Sequence, residues 1–125
     1  MKLSTLMVIN SVIAFIFGIL FVLIPWQVVM MYGIQPDPAL NYISQLFGAS
    51  LLMIAILSWM AKNAGESDVR KAILVSFFIG DVIGFIISLI AQLNHVVNNL
   101  GWSTVVLYLL LGIGFGYFSF SKSSS

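Results

Sequence analysis

Asp81 stands alone as a formal charge inside a long apolar run, and polar or small residues follow it at steps of three and four: Gly84, Ser88, Gln92 and His95. On a helix those steps fall on one face. A carboxyl in line with a hydroxyl, an amide and an imidazole is the set a proton or cation route would use, with Asp81 as the site and His95 at the mouth. Counted from Ala72, Asp81 lies about 14 Å along the helix, close to the midplane of a hydrocarbon core about 30 Å thick. An ionised carboxylate there costs several kcal/mol, so a neutral acid facing the protein interior is expected. No basic residue lies in any apolar run to pair with it. By depth, Ser50 and Tyr108 are the nearest polar candidates. The competing use is structural: a protonated Asp81 gives one hydrogen bond to Ser50, Tyr108 or a backbone carbonyl and holds helices together.

Other chemistry is thin. Asn10 and Gln45 are the remaining embedded amides, at opposite depths, and read as packing contacts. His95 is the only histidine, set among Asn94, Asn98 and Asn99 without a carboxylate or second histidine. A metal site needs three or four ligands, so none is expected. Asp81 and His95 are about 21 Å apart along one helix and cannot form a dyad. No H-E-x-x-H, phosphate loop or carboxylate pair occurs, so the expectation is a non-enzyme without cofactor. With no cysteine, disulfides and thiolate chemistry are excluded.

The elements that must place Asp81 follow from composition. Of 125 residues, 61% are hydrophobic and 7% charged. Soluble domains carry about a quarter charged residues, so this apolar surface must face lipid. Membrane lipid is therefore an expected partner. A net charge of +1 offers no basic patch, and nucleic acid is not expected.

Four segments are long enough to span: about 5–24, 39–61, 72–93 and 100–120. They predict an all-α, four-helix transmembrane bundle forming a single domain over 1–125. The run from Leu6 to Ile24 exceeds the length of a signal core and lacks an A-x-A site, so it reads as a retained helix. Pro25 closes the first span. Asp37 and Pro38 open the second as N-cap and first helical residue; Lys62 lies in its last turn, and Gly65 is expected to end it. Ser67 and Asp68 favour the third N-terminus, and Asn98 or Asn99 the fourth. Trp26, Trp59 and Trp102 fall at span ends, where indole rings prefer the headgroup level. Between the first two spans, the Val28–Met31 patch is expected to lie in the outer interface.

Lys2, Lys62, Arg70, Lys71 and Lys122 all fall in the two tails and the second loop, and none in the other loops. By the positive-inside rule both termini are cytoplasmic, in a multi-pass protein of the inner (plasma) membrane. The same bias argues against dual topology.

Lipid gives helices no hydrophobic reason to associate, so small residues at close crossings do much of that work. Candidate stripes are Ala14 and Gly18; Ser44 and Gly48, then Ala55; Gly80 and Gly84; and Gly112 and Gly116. Packing inside the chain is one use. A homo-oligomer contact, above all through the fourth stripe, or a contact with another membrane protein is the other. The leading expectation is a non-enzymatic structural or interaction protein, acting as an oligomer or a small subunit of a membrane complex. The rivals are a small proton or ion channel or transporter using Asp81, and a binder of lipid or another hydrophobic ligand.

The stretches QLFGASLLMIAILSWMA (45–61), DVRKAI (68–73) and GWSTVVLYLLLGIGFGYF (101–118) together resemble small uncharacterised bacterial four-helix membrane proteins. The resemblance covers about two-thirds of the chain. It implies a bacterial or archaeal inner membrane and brings no activity with it. Small multidrug exporters need an embedded Glu in the first span, where this chain has Asn10. Fluoride channels are of similar size, but their dual topology conflicts with the charge bias.

Overall fold

The computed structural model describes residues 1–121; Lys122 and the serines after it, part of the charge and tail readings above, lie outside the described residues. Among the described residues the chain is all-helical: α1 (Leu3–Leu23), α2 (Pro25–Met31), α3 (Pro38–Ala61), α4 (Asp68–Leu93) and α5 (Gly101–Phe120). Four of these are long and apolar enough to cross a membrane, and α2 is the exception.

Helix α2 corrects the reading of the first loop. Pro25 has no N–H and pushes the residue before it out of the α region; Ile24 accordingly sits at φ −134°, ψ 55°. The same fixed φ that stops α1 suits the first position of a new helix, and Pro25 opens α2. Val28 and Val29 are buried, so only Met30 and Met31 remain exposed in the patch assigned to the interface.

The Asp37 carboxylate caps α3, accepting from the Leu40 N–H at 2.8 Å, and Ser67 caps α4 by accepting from the Arg70 N–H at 3.1 Å. Asn98 Oδ1 accepts from the Leu100 N–H at 3.0 Å, fixing the turn before α5 rather than capping its first residue. Gly65 does not terminate α3. Lys62 is the C-cap, in an ordinary right-handed conformation, and Gly65 lies beyond it in open space.

The helices form two compact units: one is Ser4–Lys62, the other runs from Asn63 onward and includes Met1–Leu3. In the first, α1 and α3 are antiparallel. Asn10 Nδ2 donates to Ser58 Oγ at 2.8 Å, the Ser11 hydroxyl to the Ala55 carbonyl at 2.7 Å, and Gln45 Nε2 to the Val22 carbonyl at 3.0 Å. Gly18 and Gly48 meet at the crossing between those bonds: a Cβ at Gly48 would lie 2.9 Å from the Gly18 carbonyl oxygen. The Phe21 and Phe47 rings close the far end, 5.2 Å apart. The two embedded amides are packing contacts, as expected.

In the second unit α4 and α5 form an antiparallel hairpin whose turn closes on His95. The His95 N–H bonds the Gln92 carbonyl at 3.2 Å and the Val96 N–H the Ala91 carbonyl at 3.0 Å. This pair of bonds requires a left-handed residue, usually glycine. Helix α2 ends by the same pattern on Gly33 at φ 77°, whereas α4 uses His95 at φ 58°. A side chain there costs about 1–2 kcal/mol, less for polar residues that bond locally. His95→Gly is therefore expected to raise stability by about 1 kcal/mol, read as a higher midpoint of thermal unfolding in detergent. A lower midpoint would show that the imidazole makes a contact worth more than the strain.

Candidate functional site

The face of α4 that carries Asp81 is the face turned to α5. Glycines on one helix receive large side chains from the other along the whole seam. Gly84 faces the Tyr108 ring, Gly112 the Asp81 side chain, Gly116 the Phe78 ring and Gly101 the Gln92 amide. The Phe77 and Phe115 rings lie beside them, 5.1 Å apart and tilted at 60°. Gly112 thus brings the α5 backbone against the root of the Asp81 side chain: a Cβ added there would lie 3.4 Å from Asp81 Cβ.

Asp81 is partly buried, and its Oδ2 is shut away without a hydrogen-bond partner. In the α1–α3 unit Asn10, Ser11 and Gln45 are matched, and Asn41 Oδ1 is the buried oxygen there without a partner. Two more buried oxygens on the α4–α5 hairpin are unmatched in the same way, Gln92 Oε1 toward one end and Ser119 Oγ toward the other. The hairpin therefore carries three buried oxygens without a partner, from its middle to both ends.

Of the predicted line, Asp81, Gly84, Ser88 and Gln92 stay together. The Ser88 hydroxyl donates to its own helix, to the Phe85 carbonyl at 3.2 Å, and Gln92 Nε2 donates to the Asn98 carbonyl at 3.1 Å. His95 leaves the line: it lies past the end of α4, exposed in the turn. Ser50, offered as a partner for Asp81, gives its hydroxyl to the Leu46 carbonyl at 3.2 Å and is exposed. Tyr108 does lie on the Asp81 face, one turn along the seam from Gly112, with its ring on Gly84. Among the described residues no three of His, Cys, Asp or Glu come together.

A family model described as a domain of unknown function (DUF8292) matches residues 1–120. The chain belongs to that family. No curated protein and no solved structure matches it.

In this DUF8292 chain the sequence conceals one buried cation. Arg70 counts only as an inner-side charge when the sequence is read, yet it is 6% exposed. Its Nη1 donates to the Ala64 carbonyl at 3.0 Å, while Nη2 is buried without a partner. Polar flanks on both sides, Ser67, Asp68 and Lys71, mask this burial in a hydropathy profile.

The stripes also divide. Ala14, Gly18, Ser44 and Gly48 are buried in the α1–α3 unit, and Gly112 in the hairpin. Gly80 is the exception, exposed and with nothing within 4 Å of where its Cβ would be.

Proposed function

We propose that this chain is a non-enzymatic, multi-pass protein of the inner (plasma) membrane that binds a proton or small cation at Asp81 and passes it along the α4–α5 seam. The observation that carries this reading is the unpartnered Oδ2 of Asp81 in the middle of a helix of spanning length. A buried acceptor without a donor is costly, about 1–3 kcal/mol, and more for a charged group. Such a cost is sustained where a mobile donor or cation completes the site. Gln92 Oε1 and Ser119 Oγ supply further acceptors toward either end. Both termini are cytoplasmic in this proposal, from the placement of the basic residues; a reporter fused after the last residue and found outside would reverse it.

Proteoliposomes holding the purified chain are expected to dissipate an imposed proton, sodium or potassium gradient faster than empty vesicles. Leakage equal to that of empty vesicles for all three ions rejects the conduction reading.

A second reading, assembly as an oligomer or as a small subunit of a membrane complex, is favoured by the outer face of α4. Gly80 opens a notch there beside exposed Ile79, Ile83 and Ile87, a shape that suits close approach by another helix.

A further inference from the structure

The surface of the α1–α3 unit carries a groove of about 340 Å³. Its walls are Val12, Phe15, Ile56, Trp59 and Met60, all exposed, and its floor is Ser11 and Ala55, both buried. We propose that this groove seats one acyl chain of an anionic phospholipid, with the lipid phosphate held at Lys62.

The floor decides that the occupant is apolar. Ser11 is the one hydroxyl in the lining, and its proton is already given to the Ala55 carbonyl at 2.7 Å. No donor is left at the floor for a ligand, and the Ser11 oxygen itself is buried. The lined stretch of α3, Ala55 to Met60, is about 7 Å long, the length of several methylenes of an extended chain.

The mouth decides the headgroup. Lys62 Nζ lies 4.0 Å from the centroid of the Trp59 ring and donates to the Trp59 carbonyl at 3.3 Å. Trp59 is itself a wall of the groove, so the ammonium is held against a wall residue. An ammonium has three donors, which leaves two for an oxyanion. Tryptophan and lysine at a span end belong at headgroup depth, where a lipid phosphate is found. The C-terminus of α3 carries about half a negative charge, which the full charge of Lys62 outweighs. Because the bilayer is as apolar as the groove, the walls give fit rather than affinity. Discrimination among lipids must come from the head, and about 1 kcal/mol per lysine at the surface corresponds to about fivefold.

Trp59 reports occupancy directly. Trp26→Phe and Trp102→Phe, both at exposed positions, leave it as the sole indole. Phosphatidylcholine vesicles holding this variant are titrated with brominated-chain phosphatidylglycerol or brominated-chain phosphatidylcholine. The anionic lipid is expected to quench Trp59 at about a fivefold lower mole fraction. Lys62→Gln should make the two lipids equal, and Val12→Phe, which fills the groove from an exposed wall, should weaken quenching by both. Equal quenching in the parent, or a preference that survives Lys62→Gln, overturns the proposal. Trp59 shielded from both lipids also overturns it and assigns the groove to a protein. None of these outcomes depends on Asp81.

Discussion

Gly48→Ala is expected to cost about 1–3 kcal/mol, the range for forcing extra volume into a packed core, and Gly48→Leu to separate α1 from α3. The reason is what surrounds the missing Cβ. It would lie 2.9 Å from the Gly18 carbonyl oxygen, 2.9 Å from Phe21 Cβ and 2.9 Å from Val22 Cγ2. Two of these three atoms are backbone or fixed to it, so the helices themselves must part. Parting them stretches the Ser11–Ala55 and Gln45–Val22 bonds that lie on either side of the crossing. Gly18→Ala should cost less, because Leu52 Cδ2 at 2.8 Å and Cγ at 2.9 Å belong to a side chain that can change rotamer, and the one backbone neighbour, the Gly48 carbonyl oxygen, is farther away at 3.1 Å. Gly80→Ala meets nothing, and should be neutral or stabilise by up to about 1 kcal/mol through helix propensity. Thermal unfolding of the four proteins in detergent gives the order. Gly48→Ala as stable as Gly80→Ala would remove the crossing as the organising contact. Gly80→Leu serves the assembly reading in the same experiment: particle mass should fall if another helix packs in that notch, and stay unchanged if only lipid lies there.

That ranking separates what the sequence discloses from what it withholds. Spacing of four makes all four stripes look alike. Only the partner helix distinguishes Gly84, which receives Tyr108, from Gly80, which receives nothing. At 3.6 residues per turn Gly80 is turned about 100° from Asp81, off the seam. The span limits were legible because bilayer thickness sets helix length and because Asp37, Pro38 and Ser67 signal starts chemically. Helix α2 was not, since proline stops one helix and starts another by the same ring geometry. The Asp81 face was legible from polar spacing within one helix. Its counterpart on α5, Gly112 beside Tyr108, needed only the antiparallel register that a short turn imposes. His95 drops off the Asp81 line because the helix stops at Leu93, as the 72–93 span limit already implied, although the periodicity continues on paper. Arg70 was illegible as a buried group, because burial at a loop depends on how the chain returns.

Asp81→Asn is expected to abolish ion flux while leaving the fold as stable as the parent. Asparagine keeps the size that fits against Gly112 and loses only the ability to take up and release a proton or to neutralise a cation. Stability should not suffer, because the buried Oδ2 has no hydrogen bond to lose. For the same reason Asp81→Leu should match or exceed the parent in thermal stability, again without flux. Ser58→Ala sets the scale for a genuine interhelical hydrogen bond: it strands the buried Asn10 amide, and should cost about 1–2 kcal/mol, as such bonds do in membranes. If Asp81 were instead the glue of the hairpin, Asp81→Leu would fall below Asp81→Asn by that same amount. The measurements are unfolding midpoints in detergent beside proton, sodium and potassium flux in proteoliposomes, for the parent and the three variants. Flux that survives Asp81→Asn would remove the carboxyl from the path. A loss of stability in Asp81→Leu comparable to that of Ser58→Ala would return Asp81 to a structural role.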